Sequence, residues 1–284
     1  MPPAAKKSHL TRRQWEEFFR VALRSADLSG EVLLRYQLKK ARNRNPVRLK
    51  GRNDLVTGAD LASCRLMKQS LKRCFPGHNF LTEEPEFSEN NRSDFLWIID
   101  PLDGTTFHNR GLPFFSSILA LEVCGQTELG LVFSPFTGDM FLAGLGRGCV
   151  YWNRRLRKRR QVRVSGVASL TEALVGYSYG KSELHARHMA TILSVLFPTC
   201  RAITRLGGAE IGYVASGACE AFIDNNSTPW DFAAVALLVR EAGGRVTDFS
   251  GLEWTKKSDS ILASNGLLHR KLLNRLPAVT RAAD

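Results

Sequence analysis

Two carboxylates three residues apart, Asp100 and Asp103, lie in the segment Trp97-Ile98-Ile99-Asp100-Pro101-Leu102-Asp103-Gly104-Thr105-Thr106. Its first part is an apolar, β-rich run that delivers Asp100 at a strand end. Pro101 has no amide with which to extend a ladder, and Asp103-Gly104 has the composition of a tight turn. Carboxylates spaced this way point into one small volume. Upstream, Glu83-Glu84 follows a predicted strand over residues 78–82, and downstream Pro229-Trp230-Asp231 opens a predicted helix. Where such ends converge, three or more anionic groups share one site, and like charges at close range either raise their pKa values or recruit cations. Hard oxygen donors without a Cys or His cluster beside them favour Mg²⁺ over zinc. One acidic pair alone reads as a solvated turn; three in this order read as a metal site.

The elements that must position these groups follow from the periodicity. Thr11-Arg12-Arg13-Gln14 has the form of a capping box, and Trp15, Phe18, Phe19, Ala22, Leu23 and Ala26 then recur at helical spacing as one apolar core face. A second helical stretch ends at Phe75-Pro76-Gly77. Strands are predicted at 78–82, 95–99, 116–123, 129–133 and 140–143, and two runs at 149–152 and 161–164 form a hairpin around a charged tip. Helices follow near 182–196, 208–216, 231–242 and 267–276, with a strand at 245–248 after the Gly243-Gly244 helix stop. The first half is therefore α then mostly β, the second α/β, a layered α+β arrangement whose lobes meet at a cleft.

The motifs resemble those of the inositol monophosphatase-like family, Mg²⁺-dependent, lithium-sensitive phosphatases. Asp54-Leu55-Val56-Thr57-Gly58-Ala59-Asp60 is similar to the family's D-x-V-T-x-x-D, and Glu83-Glu84 to its acidic pair. WIIDPLDGTT from Trp97 is similar to its W-I-x-D-P-[IL]-D-G-T-x, and Trp230-Asp231-Phe232-Ala233-Ala234 through Glu241-Ala242-Gly243-Gly244 to its W-D-x-A-A…E-A-G-G. The likeness runs from about residue 15 to 275. It implies an α-β-α-β-α sandwich of the inositol monophosphatase / fructose-1,6-bisphosphatase type, one domain over 1–284 with sub-lobes at about 10–180 and 181–280. By the resemblance, Glu83, Asp100 and the Leu102 carbonyl hold one Mg²⁺, and Asp100, Asp103 and Asp231 a second. A third, weaker ion lies near Glu83. Asp60 and Thr105 orient and deprotonate the attacking water, with Glu83 and Glu84 beside them. Asp103 and the amides of Gly104 and Thr105 face substrate, as do Asp224 and the helix start at Ala209. Trp230 packs, and the Glu241-Ala242-Gly243-Gly244 run has a structural role only.

Departures from the family pattern concern the substrate. Phe107 stands where relatives often have Asn, and Gly208-Ala209-Glu210-Ile211-Gly212-Tyr213-Val214-Ala215-Ser216-Gly217 is shorter than the family's corresponding helix start. The first expectation is a small polyol phosphate, inositol monophosphate foremost. Histidinol phosphate, fructose 1,6-bisphosphate and a 3′-phosphoadenosine nucleotide are the alternatives. Family members are commonly homodimers.

Other chemistry finds less support. His185 and His188, three apart, read as a solvated helix face, and His108 as a loop histidine. No G-x-S-x-G, H-E-x-x-H or P-loop motif occurs. The six cysteines form no C-x-x-C pair, the polar start lacks the apolar core of a leader, and no apolar run reaches the ~18 residues of a membrane span. The expectation is a cytoplasmic protein with free thiols and no membrane partner.

The net charge of +13 among 284 residues is local. Two acid-free windows, residues 39–52 with seven basic residues and 154–160 with six, account for all of it. By the resemblance the first is a loop over the site, where Lys50 and Arg52 attract an anionic substrate. The second, RRLRKRR, leaves open an RNA-associated binding role, since basic clusters bind phosphate backbones; aromatics are sparse within it.

Overall fold

Residues 116–123 and 139–144 are apolar almost without alternation, the signature of strands covered on both faces. In the computed structural model they are β5 (Ser116–Val123) and β7 (Asp139–Gly144), buried at every position. The structure describes residues 8–40, 47–51, 54–180, 182–205 and 209–276, with the backbone alone at 39–40, 47–51, 54–55 and 209–211. The Lys50 side chain, Arg52 and Gly208 lie outside this description.

The main sheet has seven strands: β3 (Asn79–Thr82), β4 (Phe95–Asp103), β5, β6 (Gln126–Ser134), β7, β8 (Gly148–Asn153) and β9 (Lys158–Val162), in that spatial order. Only β3 and β4 run parallel. A small antiparallel pair, β1 (Val47–Gly51) and β2 (Asp54–Thr57), precedes it. Side chains alternate across the sheet with the period of two that a strand imposes. Trp97, Ile99, Leu119, Leu121 and Leu131 face one way, onto Phe18, Ala22 and Ala26 of α1 (Arg12–Lys40) and Met67 and Leu71 of α2 (Gly58–Cys74). Ile98, Ile118, Ala120 and Val132 face the other way, onto α6 (Pro229–Glu241).

Helix α6 buries eight successive residues, Phe232 through Val239. A helix apolar all round must be covered all round, and a second sheet lies on its far side. Its order is β11 (Ala202–Thr204), β10 (Leu174–Ser178), β12 (Ala221–Asp224), β14 (Ile261–Ser264) and β13 (Arg245–Thr247). Phe222, Ile261 and Ala263 pack towards α6, while Ala221, Ile223 and Leu262 pack outward on α4 (Glu183–Leu196) and the segment leading through α7 (His269–Leu273). The layers are thus α-β-α-β-α, as expected. Contact is close: a Cβ on Gly130 of β6 would come within 2.6 Å of the Ala234 carbonyl oxygen of α6.

The capping box at the first helix is present, with Gln14 N–H donating to Thr11 Oγ1 at 3.3 Å and Thr11 N–H to Gln14 Oε1 at 3.0 Å. Four strands of the second sheet, β10, β11, β12 and β14, escaped the sequence reading. Each has only three to five residues, too few to display a period. The six cysteines are all free thiols.

Candidate active site

Strands β3 and β4 are parallel neighbours, so their C-terminal ends reach the same rim of the sheet. Glu83 leaves β3 with its amide on the Ile99 carbonyl at 3.1 Å, which sets the acidic pair beside Asp100. Pro101 does not end the strand as the sequence suggested. The ladder pairs Asp100 with Ile118 and resumes at Asp103 opposite Ser116, so β4 carries one extra residue there. This bulge absorbs the proline and re-aims the two aspartates. Ser63 Oγ of α2 donates to the Pro101 carbonyl at 3.0 Å, and Leu102 N–H to Asp100 Oδ1 at 2.9 Å, fixing the bulge from both sides.

Gly104 then takes φ +83° as the N-cap of α3 (Thr105–Asn109), a conformation that favours glycine. A Cβ there would lie 2.5 Å from the Phe114 carbonyl oxygen. Thr105 Oγ1 sits 3.1 Å from Asp60 Oδ1 and 3.0 Å from the Leu102 carbonyl, and its single proton can be donated to either. Asp60 opens α2 in a reciprocal cap with Thr57: the Thr57 amide and hydroxyl donate to Asp60 Oδ2 at 2.8 and 2.5 Å. Asp231 is held in the same manner at the start of α6, accepting from Thr228 Oγ1 at 2.7 Å.

Electrostatics tie these ends together. Asp100, 1% exposed, has its carboxyl pushed well above the usual range by burial first and then by the fields of Glu83, Asp103 and Asp231. Asp231 is raised by burial, Asp103 and Glu83 in that order. Burial, opposed by the Thr57 bonds, lifts Asp60 to about 6, with Glu84 adding to the rise. Asp224, at the end of β12, is raised to about 7, again chiefly by burial, while the Asn226 amide at 2.6 Å and Arg205 pull it down. The expected residues Asp60, Glu83, Glu84, Asp100, Leu102, Asp103, Gly104, Thr105, Asp224 and Asp231 are therefore brought together, from the ends of β3, β4 and β12 and the starts of α2, α3 and α6. Ala209 opens α5 (Ala209–Ala215), where the backbone alone is described.

Among the described residues, no three His, Cys, Asp or Glu side chains close into a metal cage. The carboxylates feel one another's charge without having collapsed onto a common point. The donors that they offer, four acidic groups and a backbone carbonyl with neither imidazole nor thiolate among them, are of the kind a hard cation takes.

Several side chains depart from the sequence reading. His108 is buried at 1% exposure within α3, its Nε2 on the Leu33 carbonyl at 2.9 Å, and so serves the core rather than a loop. His185 and His188 are half-buried rather than solvated: the His185 ring packs against Gly180, and Asn225 Nδ2 donates to the His185 backbone carbonyl at 2.8 Å and lies 3.5 Å from His188 Nδ1. Trp230 packs against the central core. Gly243 has the left-handed backbone expected of the helix stop, φ +88°. Glu241 does more than end a helix, accepting from the amides of Gly146, Arg147 and Gly148 at 2.8, 3.1 and 2.7 Å. Arg205, which nothing in its local sequence singles out, stacks over Tyr179 at 4.7 Å and near Phe107 at 6.0 Å.

The five-layer sandwich carries a group of carboxylates where β3 and β4 end and α6 begins, and comparison with known proteins gives the family. The profile of the inositol monophosphatase family matches residues 14–281, and the chain belongs to that family. It is 33% identical over 258 residues to a protein of Pasteurella multocida described as Nus factor SuhB, covering 90% of this chain and 94% of that one. The SuhB of Escherichia coli K12 is also 33% identical, over 256 residues, covering 89% and 93%. Among solved structures, the extragenic suppressor protein suhB of Bartonella henselae superposes with a TM-score of 0.84 at 30% identity, covering 93% of this chain and 99% of that one. The IMPase of Thermotoga maritima gives 0.80 at 31% identity, covering 92% and 96%. The family is generally Mg²⁺-dependent. No helix among the described residues is long and apolar enough to cross a membrane.

Proposed function

We propose that the protein is a Mg²⁺-dependent phosphomonoesterase acting on a small phosphorylated polyol, with inositol monophosphate as the first candidate. The observation that carries this reading is the mutual field of Glu83, Asp100, Asp103 and Asp231 at one rim. Asp100 and Asp231, whose charge is opposed by burial and by neighbouring carboxylates, are costly unless cations neutralise them. In this reading Glu83, Asp100, Asp103, Asp231 and the Leu102 carbonyl hold two or three Mg²⁺ ions. Bound there, the ions supply charge neutralisation on the phosphate oxygens and acidify a water.

The chain's own groups do the rest. When the Thr105 hydroxyl donates to Asp60 Oδ1, its Oγ1 lone pairs are left to accept a proton from a water, and Asp60 is the end of that relay. A carboxyl raised to about 6 is a better base than an ordinary aspartate and is still ionised at neutral pH. The same donation frees the Leu102 carbonyl from Thr105. Gly104 lets phosphate approach the backbone amides of 104 and 105. Asp224 and Arg205 stand on the side where the alcohol lies, and the histidinol, fructose bisphosphate and phosphoadenosine alternatives differ there.

Phosphate release from a panel of inositol, sugar, histidinol and nucleotide phosphates, with Mg²⁺ and with EDTA, tests the proposal. Release that requires Mg²⁺ is expected, falling by a factor of at least about 100 in Asp100→Asn and Asp231→Asn. Absence of release from every substrate, or retained activity in both variants, overturns it.

A further inference from the structure

The six basic residues of 154–160 have no part in the acidic rim. They belong to the β8–β9 hairpin, and β9 is the outer strand at the end of the sheet opposite β3. The strand begins inside the basic window, so Lys158, Arg159 and Arg160 are ladder residues and only 154–157 form the tip. The register pairs Tyr151 with Arg160 and Trp152 with Arg159. That pairing supplies aromatic partners that lie just outside the window. The Arg154 guanidinium stacks 4.2 Å from the Trp152 ring and Arg159 lies 5.8 Å from it, while Arg160 is 5.5 Å from Tyr151 and Arg155 5.6 Å from Phe136.

Arg154 is also clamped from α1 by Asp27 at 2.8 Å, so the Trp152–Arg154 stack is anchored to the body of the protein. Residues 155–161 are exposed, and among the described residues the other five cations of the run form no ion pair. Trp152, Arg154, Arg157 and Arg159 line an open hollow of about 640 Å³. Charge on an outer strand guards it against pairing with other sheets. Guarding needs no stacked planar groups and no hollow.

We propose that this hairpin is a binding site for single-stranded nucleic acid, with a base against the planar faces at Trp152 and Arg154, phosphates on Arg157 and Arg159 beside them, and Lys158 and Arg160 drawing the phosphate chain from the opposite face of the outer strand. Single strands present both features together, a phosphate chain and free base faces, and are bound by cationic grooves carrying aromatic or guanidinium planes. A membrane surface fits less well, because Leu156 is the one strongly exposed large apolar side chain in the run. The inference is independent of the phosphatase reading.

Fluorescence anisotropy of labelled U20, dT20 and a 20-base-pair RNA duplex with the full chain tests it, with polyglutamate as competitor. Four phosphate contacts predict a slope of log K against log salt near −2.8, or roughly a fiftyfold loss between 50 and 200 mM KCl. The combined variant Arg157→Gln, Arg159→Gln, Arg160→Gln should bind at least tenfold more weakly, with the slope shallower by about 2. Its melting temperature and phosphate release should match those of the parent. Tight binding of either single strand supports the site, and preference between the two identifies the sugar. Unchanged affinity in the variant, or duplex and polyglutamate binding as strong as that of the single strands, overturns the proposal.

Discussion

Asp60→Asn should make the protein more stable and less active at once. Asp60 is 1% exposed, and its carboxyl is raised from 3.8 to about 6, with burial as the first cause. The displacement corresponds to about 3 kcal/mol, of order-of-magnitude accuracy. Below pH 3.8 the carboxyl is protonated folded and unfolded alike, and burial costs nothing electrostatic. As pH rises through the folded value near 6, the unfolded chain releases its proton more readily, and the full cost is borne above it. Asparagine keeps the cap, since its Oδ1 can accept from the Thr57 amide and hydroxyl, and its Nδ2 can donate to Thr105 Oγ1. Thermal melts in EDTA should therefore show the variant higher by roughly 5 °C at pH 8 and no higher at pH 4. Phosphate release should fall by about 10²–10⁴ with loss of the base. A variant that melts lower at pH 8, or gains equally at pH 4, refutes the argument.

Three further outcomes follow from individual contacts. His269 is fully buried between Thr247 Oγ1 and Ser264 Oγ, and burial lowers its pKa to about 4. Its contribution is complete above pH 6.5 and is lost as pH falls towards 4. His269→Gln should therefore flatten the acid limb of a denaturant-monitored stability profile by up to about 3 kcal/mol. Gly104→Ala meets both the φ of +83° and the 2.5 Å approach to the Phe114 carbonyl. It should cost about 2 kcal/mol or more in urea melts, and Mg²⁺-dependent release should fall with it. Glu241→Ala removes the acceptor of three amides and should cost about 2 kcal/mol while leaving KM unchanged in steady-state kinetics, because Glu241 lies at the opposite end of α6 from Asp231.

Much of the site was legible without coordinates, because most of its acidic groups lie where a strand or helix visibly begins or ends. Asp100 and Asp103 are marked by the proline and glycine around them and Asp231 by the helix it opens, whereas Asp60 was reached through the family resemblance. Local spacing determines such features, since a cap or a turn is a relation among residues three or four apart. The seven-stranded sheet was legible for a similar reason: its long apolar runs have no other explanation. What local spacing cannot express is a relation between distant segments. The bulge that carries β4 past Pro101 depends on Ser63 of another element, and the raised state of Asp100 depends on Glu83, Asp103 and Asp231 together.

The arginines of 154–160 show the same division. Their charge is plain in the sequence, and so is a hairpin. Their stacking on Trp152 and Tyr151 is decided by the cross-strand register, and the clamp on Arg154 comes from Asp27, 127 positions away. His108, His185 and His188 were read as loop and surface because a single polar residue gives no sign of what will cover it. The acidic character of the site and most of the elements that carry it can be read from local spacing, though not β12, which ends at Asp224. Tertiary structure decided which charges meet, which side chains lose water and which planar groups stack, since those depend on packing between layers that no local pattern encodes.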